Sequence, residues 1–413
     1  MEGRYHVALV TSAQPSANPR LLKEAITIYN AGYETTVIWC PISPWADNFD
    51  KNLFKDYQEI NWVQAGYHST SQPLGYFYAR IRQKVWQVIY KIIGNHFDAA
   101  IKSLVLYSQE LTSLALQQKA DIYIGHNLGA LPAISKASKR HKAKSIFDFE
   151  DYHRGESHET SLQTKMVIDV EDKYIPLISS VTTASPSILN AYKKIFPDKL
   201  IITINNCFPL EYAIDSVKEI PQIPLKLFWF SQYIGKKRGL ETVLEALSLM
   251  SEHKVSITLL GSCSSEMKTY FLSLASSFQL EPNQLVFMGS IDEKDIVGIA
   301  STHHIGIVAE YGHIQNRNLC LTNKIFMYLL SGNALVLSDT DAHIDFLNAQ
   351  REIGVIYQQE NAANLSKVLL NYITQPELLD KTRIASLQFG KKKLNWDIEK
   401  KVLLSNVERL LGK

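Results

Sequence analysis

Short runs of apolar residues recur along the chain, each followed by a polar loop and then by a segment with apolar residues every three or four positions. Such runs suit strands buried on both faces and the longer period suits amphipathic helices, so the pattern predicts β-α-β units around parallel sheets. The clearest unit spans Ile305 to Asp339. IGIVAE predicts a buried strand, YGHIQNRN a polar loop, TNKIFMYLLSG a helix from near Thr322 to Gly332, and ALVL from Ala334 a second strand. Further strands are expected at 6–10, 35–40, 121–124, 145–149, 181–185, 200–206, 227–231, 255–260 and 285–289. Asn18-Pro19, Ser185-Pro186 and Asp292 read as helix starts. Pro209, Pro221 and Pro224 break the periodicity and mark a hinge. The expected organisation is a first domain at 1–207, a hinge at 208–224, a second domain at 225–394 and a final amphipathic helix at 395–413.

One stretch stands apart. Between residues 75 and 106, Arg80, Arg82, Lys84, Lys91 and Lys102 face a single acid, Asp98, and alternate with aromatic and aliphatic residues. A basic helix of this kind either lies on an anionic membrane surface, here through residues 76–104, or lays its apolar face on the domain's sheet; both readings are open.

A length of 413 residues fits two domains better than one. With 46% hydrophobic and 20% charged residues the chain reads as ordinary globular protein, and Lys+Arg 43 against Asp+Glu 41 gives no reason to expect nucleic acid as a partner. Cys40, Cys207, Cys263 and Cys320 are too scattered for a zinc site, so no metal is expected. The start lacks the apolar core of a signal peptide and no apolar run is long enough to span a bilayer, so the expectation is a cytoplasmic protein. The opening β-α-β lacks G-x-G-x-x-G, which disfavours a dinucleotide cofactor.

Candidate chemistry lies at strand ends and helix starts. Thr322, Asn323 and Lys324 put backbone N–H groups, an amide and an ammonium at one helix mouth, an arrangement suited to phosphate. Gln232 to Gly239 carries Lys236, Lys237 and Arg238 beside Gly235 and Gly239 ahead of a helix, which suits a diphosphate. In the first half His126 and Asn127 follow a strand, and Asp148, Glu150, Asp151, His153 and Glu156 cluster after another. Those acids could serve in acid/base chemistry, hold a metal, or cap the next helix.

The string Asn323-Lys324-Ile325-Phe326-Met327-Tyr328-Leu329 with Ser331-Gly332 resembles the "NK-x-F-E-Y, small-Gly" signature of glycosyltransferase family four. Other stretches are similar to that family in order: Pro19-Arg20 to Tyr33, Gly125 to Ala133, Asp148 to Glu150, Val181 to Ser185, Ile204 to Pro209, Gln232 to Leu240 and Asn395-Trp396. The resemblance implies an α/β GT-B fold of two facing Rossmann-like domains, with an interdomain cleft and a C-terminal helix crossing back to the first. It implies a retaining transferase that moves a sugar from a nucleotide-diphosphate sugar, with no other cofactor, to a glycan or lipid-linked acceptor in cell-envelope polysaccharide synthesis. The protein would then sit in the cytoplasm, in peripheral contact with the inner face of the cell membrane.

By the same resemblance His126, Glu150, Asp151, Arg238 and Lys324 would be catalytic. Gln232, Gly235, Lys237, Arg238, Glu310, Thr322, Asn323 and Lys324 would bind the donor, and Arg20, Asn127 and His153 would face the acceptor. Four departures stand out. Ile124 replaces the first histidine of the family's "DIxHxH", the histidine of "D-x-H-E" is lost, Tyr233 occupies the family's arginine position, and Met327 replaces the glutamate that holds ribose. A degenerate GT-B protein that binds a glycan or partner without catalysis, and a sugar-nucleotide epimerase, are the alternatives.

Overall fold

The computed structural model describes residues 4–413, with residues 1–3 outside it. The chain forms two compact units, one running to Ile204 and including Lys400–Lys413, the other Asn205–Glu399. Each unit is built on one parallel sheet.

The first sheet contains β1 (His6–Thr11), β2 (Glu34–Trp39), β3 (Asn61–Gln64), β4 (Ile122–His126), β5 (Lys144–Phe149), β6 (Ser180–Thr183) and β7 (Ile201–Thr203), in the order β3-β2-β1-β4-β5-β6-β7. Its central strands are buried on both faces, as the unbroken apolar runs require: Val7, Leu9, Ile122, Ile124, Ile146 and Phe147 are all fully buried. The second sheet contains β8 (Leu225–Tyr233), β9 (Val255–Ser262), β10 (Leu285–Met288), β11 (Ile305–Val308), β12 (Ala334–Ser338) and β13 (Gly354–Tyr357), in the order β10-β9-β8-β11-β12-β13. Two apolar clusters form its core, one around Leu227, Trp229, Ile307 and Val336 and the other around Phe228, Val308, Ile325 and Leu335. Successive residues of each strand feed opposite clusters, as the two-residue period of a strand demands.

In both sheets the strand order reverses direction once, between β1 and β4 in the first and between β8 and β11 in the second. The carboxyl ends flanking such a switch point leave a crevice, because the helices that follow depart to opposite faces. Thr11 pairs with His126 at the first switch, and Ala309 follows β11 at the second.

The helix starts follow their sequence signals. Asn18 accepts from the Leu21 N–H and Ser185 from the Ile188 N–H, each with proline in the first turn. The Asn323–Ser331 helix is capped by Thr322 and ends at Gly332, whose φ of +66° lies in the left-handed region.

Three features differ from the sequence reading. Strands β3 and β13 and the helix Gln315–Leu319 arise where a loop was expected or no element was read. Strand β4 continues through His126, so that residue closes the strand instead of following it. The Pro73–Ile93 helix does not lay its apolar stripe on the sheet: Phe77, Val85 and Ile92 are exposed, while Ala79 and Tyr90 are its buried residues. Among the described residues no helix is long and apolar enough to cross a membrane.

Candidate functional site

At the switch point of the first unit lies a buried set of charges. The Arg20 side chain, on the helix after β1, points back at the carboxyl end of β5. Its Nε and Nη2 donate to the two oxygens of Asp148, both at 2.6 Å, and its Nη1 donates to the Ile204 carbonyl at 2.7 Å. Thr182 Oγ1 donates to Asp148 at 2.6 Å as well. One turn after Arg20, Glu24 sits 3.7 Å from its guanidinium and 3.2 Å from His126 Nε2, while His126 Nδ1 lies 3.5 Å from Asp148. All four side chains are essentially removed from solvent.

These charges hold one another's ionisation. Burial would lower the His126 pKa, but Glu24 and Asp148 more than reverse this and raise it to about 9. Burial would raise Asp148, yet Arg20 and His126 hold it well below the usual carboxylate range. Ligand atoms of Glu24, His126 and Asp148 lie within 4.8 Å of one another, close enough for one cation. Arg20 already supplies a bidentate positive charge to Asp148, so the cluster carries its own cation. Arg20 is thereby spent inside the unit rather than directed outward. Asn127, with a φ of +63°, turns its side chain back to accept from Thr11 Oγ1 at 2.7 Å.

Beyond this cluster, Glu150 follows β5. It keeps some exposed surface but is densely surrounded, and burial together with Asp151 and Asp148 outweighs Arg20 to raise its pKa to about 7. Asp151 lies beside it, half-buried. His153 Nδ1 is 2.6 Å from Glu156 Oε1; burial opposes its protonation, Glu156 favours it, and the result is a pKa raised to about 9.

In the second unit the basic loop between β8 and the Leu240–Ser248 helix reaches the end of β11. Gly239 makes this possible: its φ is +76°, and a Cβ there would lie 2.0 Å from the Ala309 carbonyl oxygen. The half-buried Arg238 is steered by an Nη1–H donated to Ser231 Oγ, and Lys236 lies 4.0 Å above the Tyr270 ring. Gln232 and Lys237 are exposed, and space is open around the Gly235 α-carbon. Across the switch point, Lys324 Nζ donates to Glu310 Oε1 at 2.8 Å, with both side chains about nine-tenths buried. Burial opposes ionisation of Glu310, but Lys324 prevails and lowers its pKa to about 2. Thr322 caps the helix with its backbone only; its Oγ1 is buried and meets no hydrogen-bond partner among the described residues. Asn323 beside it is exposed. A buried hydroxyl left without a partner costs roughly 1–3 kcal/mol.

Met327 packs fully buried among Ile325, Leu329 and Val308, as an apolar residue should. Asp148 was read from the sequence only as one of a cluster of acids, and Glu24 was not singled out, although the i,i+4 spacing of Arg20 and Glu24 offered a signal. The Asp339-Thr340-Asp341 run, which imitates a metal motif, caps a helix: Thr340 Oγ1 accepts from the His343 N–H, and Asp341 opens that helix.

No protein-family model and no characterised protein sequence matches the chain. Solved structures do. A complex of Anabaena HepE with UDP superposes with a TM-score of 0.69 at 13% identity, over 98% of this chain and 100% of that one. Sucrose-phosphate synthase from Thermosynechococcus elongatus gives a TM-score of 0.72 at 13% identity, over 99% and 100%. A glycosyltransferase from Rickettsia africae gives 0.67 at 14%, over 99% of each chain. At these identities the likeness is one of fold, and it extends over the whole length: the chain has the two-domain α/β GT-B fold that these proteins share.

Proposed function

We propose that this protein is a retaining glycosyltransferase that moves a sugar from a nucleotide-diphosphate sugar to a glycan or lipid-linked acceptor, in cell-envelope polysaccharide synthesis. The observation that carries the reading is the second unit's switch point. There the half-buried Arg238 and the exposed Lys237 precede the Leu240–Ser248 helix, whose cap Gly239 abuts Ala309 just past β11, and the Lys324–Glu310 pair and the unpartnered Thr322 hydroxyl stand at the mouth of the Asn323–Ser331 helix. Two cations and a helix N-terminus stabilise a departing diphosphate where its charge develops, which is the task a metal performs in other transferases. Glu310 holds Lys324 in place and offers a carboxylate to sugar or ribose hydroxyls, which Met327 cannot do.

Anabaena HepE, of the same fold, was crystallised with UDP and with UDP-glucose. That supports a uridine diphosphate sugar as the first donor to try. The acceptor side falls to the first unit, with Glu150 or Asp151 at the acceptor hydroxyl, His126 and His153 close by, and the Arg20–Asp148 pair as scaffold. In a retaining reaction of this kind the acceptor hydroxyl attacks from the face that the diphosphate leaves, so no enzymic nucleophile is required. Peripheral contact with an anionic membrane through residues 76–104 fits a lipid-linked acceptor.

The test is UDP release from UDP-sugars with a panel of acceptors, in wild type and in Arg238→Ala. Acceptor-dependent release that falls at least about 100-fold in the variant supports the reading, since a lost charge-assisted pair to a phosphate costs about 1.5–3 kcal/mol in each state it serves. Near-wild-type release in the variant removes Arg238 from the role. Burial of Met327 at the family's ribose position favours a second reading, a non-catalytic GT-B protein, which would bind nucleotide and release none. An epimerase would instead yield epimerised sugar with no acceptor present.

A further inference from the structure

The Pro73–Ile93 helix carries its hydrophobic face outward. At about 100° per residue, Leu74, Phe77, Ile81, Val85, Val88 and Ile92 fall within an arc of about 80°. In a surface helix of a globular protein that stripe is the buried side. Here Leu74 is 87%, Phe77 64%, Val88 57% and Ile92 75% exposed. The opposite side attaches the helix, and it does so largely through polar contacts. Gln83 and Gln87 donate to the Ser103 carbonyl, Arg82 pairs with Glu110 at 2.6 Å, Tyr90 donates to Asp169 at 2.6 Å, and Lys102 lies 4.1 Å above the Trp86 ring. An inward face secured this way frees the apolar stripe for something else.

The charges say what that is. Arg80, Lys84 and Lys91 are exposed and project from one flank of the stripe, roughly 80° from its centre. No acid occurs from Pro73 to Phe97. The acids near the helix are already engaged, Asp98 by Lys136, Lys173 and Tyr174, Glu110 by Arg82 and Asp169 by Tyr90. A second copy packed on the same stripe would bring these uncompensated cations together, which opposes a symmetric pair. An anionic lipid surface accepts both features at once: apolar side chains enter the acyl boundary while the cations meet lipid phosphates.

We propose that this helix docks in the plane of an anionic phospholipid bilayer, with Leu74 to Ile92 as the penetrating stripe and Arg80, Lys84 and Lys91 as its phosphate contacts. The docking narrows the membrane contact of the proposed transferase to one face, and it stands on the helix geometry alone. Its position suits that role. Eight residues separate the end of β3 from the start of the helix, on the carboxyl edge of the first unit's sheet. On the same edge the exposed Trp45 and Phe49 follow β2 and are tied to the loop before the helix through Asp47 and His68, 3.7 Å apart. Three strand spacings, roughly 14 Å, separate β3 from β4 and His126.

The test is cosedimentation of the full chain with vesicles of equal parts phosphatidylglycerol and phosphatidylcholine, against pure phosphatidylcholine, at low and high salt. The expected result is binding to the mixed vesicles at least about 10-fold stronger than to the neutral ones, weakened by salt. The double variant Val85→Glu, Val88→Glu alters exposed positions only; it should keep the wild-type Tm and lose binding about 10-fold or more. Lys84→Gln with Lys91→Gln should weaken binding and flatten its salt dependence. Failure of the wild type to pellet with the mixed vesicles at low salt overturns the proposal. So does a dimer in light scattering that the glutamate variant dissociates and that binds no vesicles. Titration of the same samples with UDP, GDP, ADP and CMP separates this from the donor reading: vesicle binding with none of these nucleotides bound sinks the transferase and leaves the docking face standing.

Discussion

Arg20, Glu24, His126 and Asp148 bury four ionisable side chains in one place, and each cation there touches a carboxylate. Breaking such a set strands a buried charge, so Asp148→Asn is expected to destabilise the protein by about 3–5 kcal/mol, measured by denaturant unfolding. The set also makes stability depend on pH. His126 rises from 6.5 to about 9 on folding, so its contribution is complete below pH 6.5 and is lost as pH rises through about 9. Thermal melts should show a Tm several degrees lower near pH 9.5 than near pH 6, with the difference reduced in His126→Gln. An equal difference in that variant would remove His126 from the effect. Glu150 behaves in the opposite functional sense. With its pKa raised to about 7, Glu150 in the acceptor role proposed for it or Asp151 predicts activity that rises through pH 7, and Glu150→Gln should abolish that limb.

The sequence offered His126, Arg20 and Asp148 separately but not that Asp148 is the shared partner of the other two, because the Arg20–Asp148 pairing joins residues 128 positions apart and no local pattern encodes it. The charge that made Arg20 a candidate for the acceptor side is the charge that Asp148 and Ile204 absorb.

At the scale of elements, strands and caps were legible because their signals are local. Apolar runs, Asn18-Pro19, Ser185-Pro186 and Gly332 each impose a conformation by themselves. The short strands β3 and β13 close one edge of each sheet, where one neighbour is missing and a continuous apolar run is not demanded; Asn61-Trp62-Val63-Gln64 is half polar. The Pro73–Ile93 helix shows the limit most clearly, since periodicity gives the stripe but not the side it faces. The basic loop supplies a prediction of its own. Gly239→Ala places a Cβ against the Ala309 carbonyl at a positive φ, so the loop must shift; about 1–3 kcal/mol of strain is expected, read as a lower Tm together with weaker nucleotide binding. Lys324→Ala leaves Glu310 buried without its cation. The Glu310 pKa should then rise, and nucleotide affinity should fall about 10-fold or more.

For the whole molecule, two parallel sheets, each with one reversal of strand order, provide two switch points and therefore two places for ligands. In the proposed function the nucleotide binds the second unit and the acceptor the first. Because the proposed function has the protein's own cations stabilise the diphosphate, turnover is expected to be unchanged by EDTA, and a large loss on chelation would contradict that assignment. The most direct measurement is calorimetric titration of the purified chain with UDP, in wild type and in Arg238→Ala. Saturable binding of one UDP per chain without added metal is expected, weakened about 10-fold or more by the substitution. Binding that is absent at millimolar UDP and at millimolar GDP, ADP and CMP, or that ignores the loss of Arg238, would contradict the proposed function.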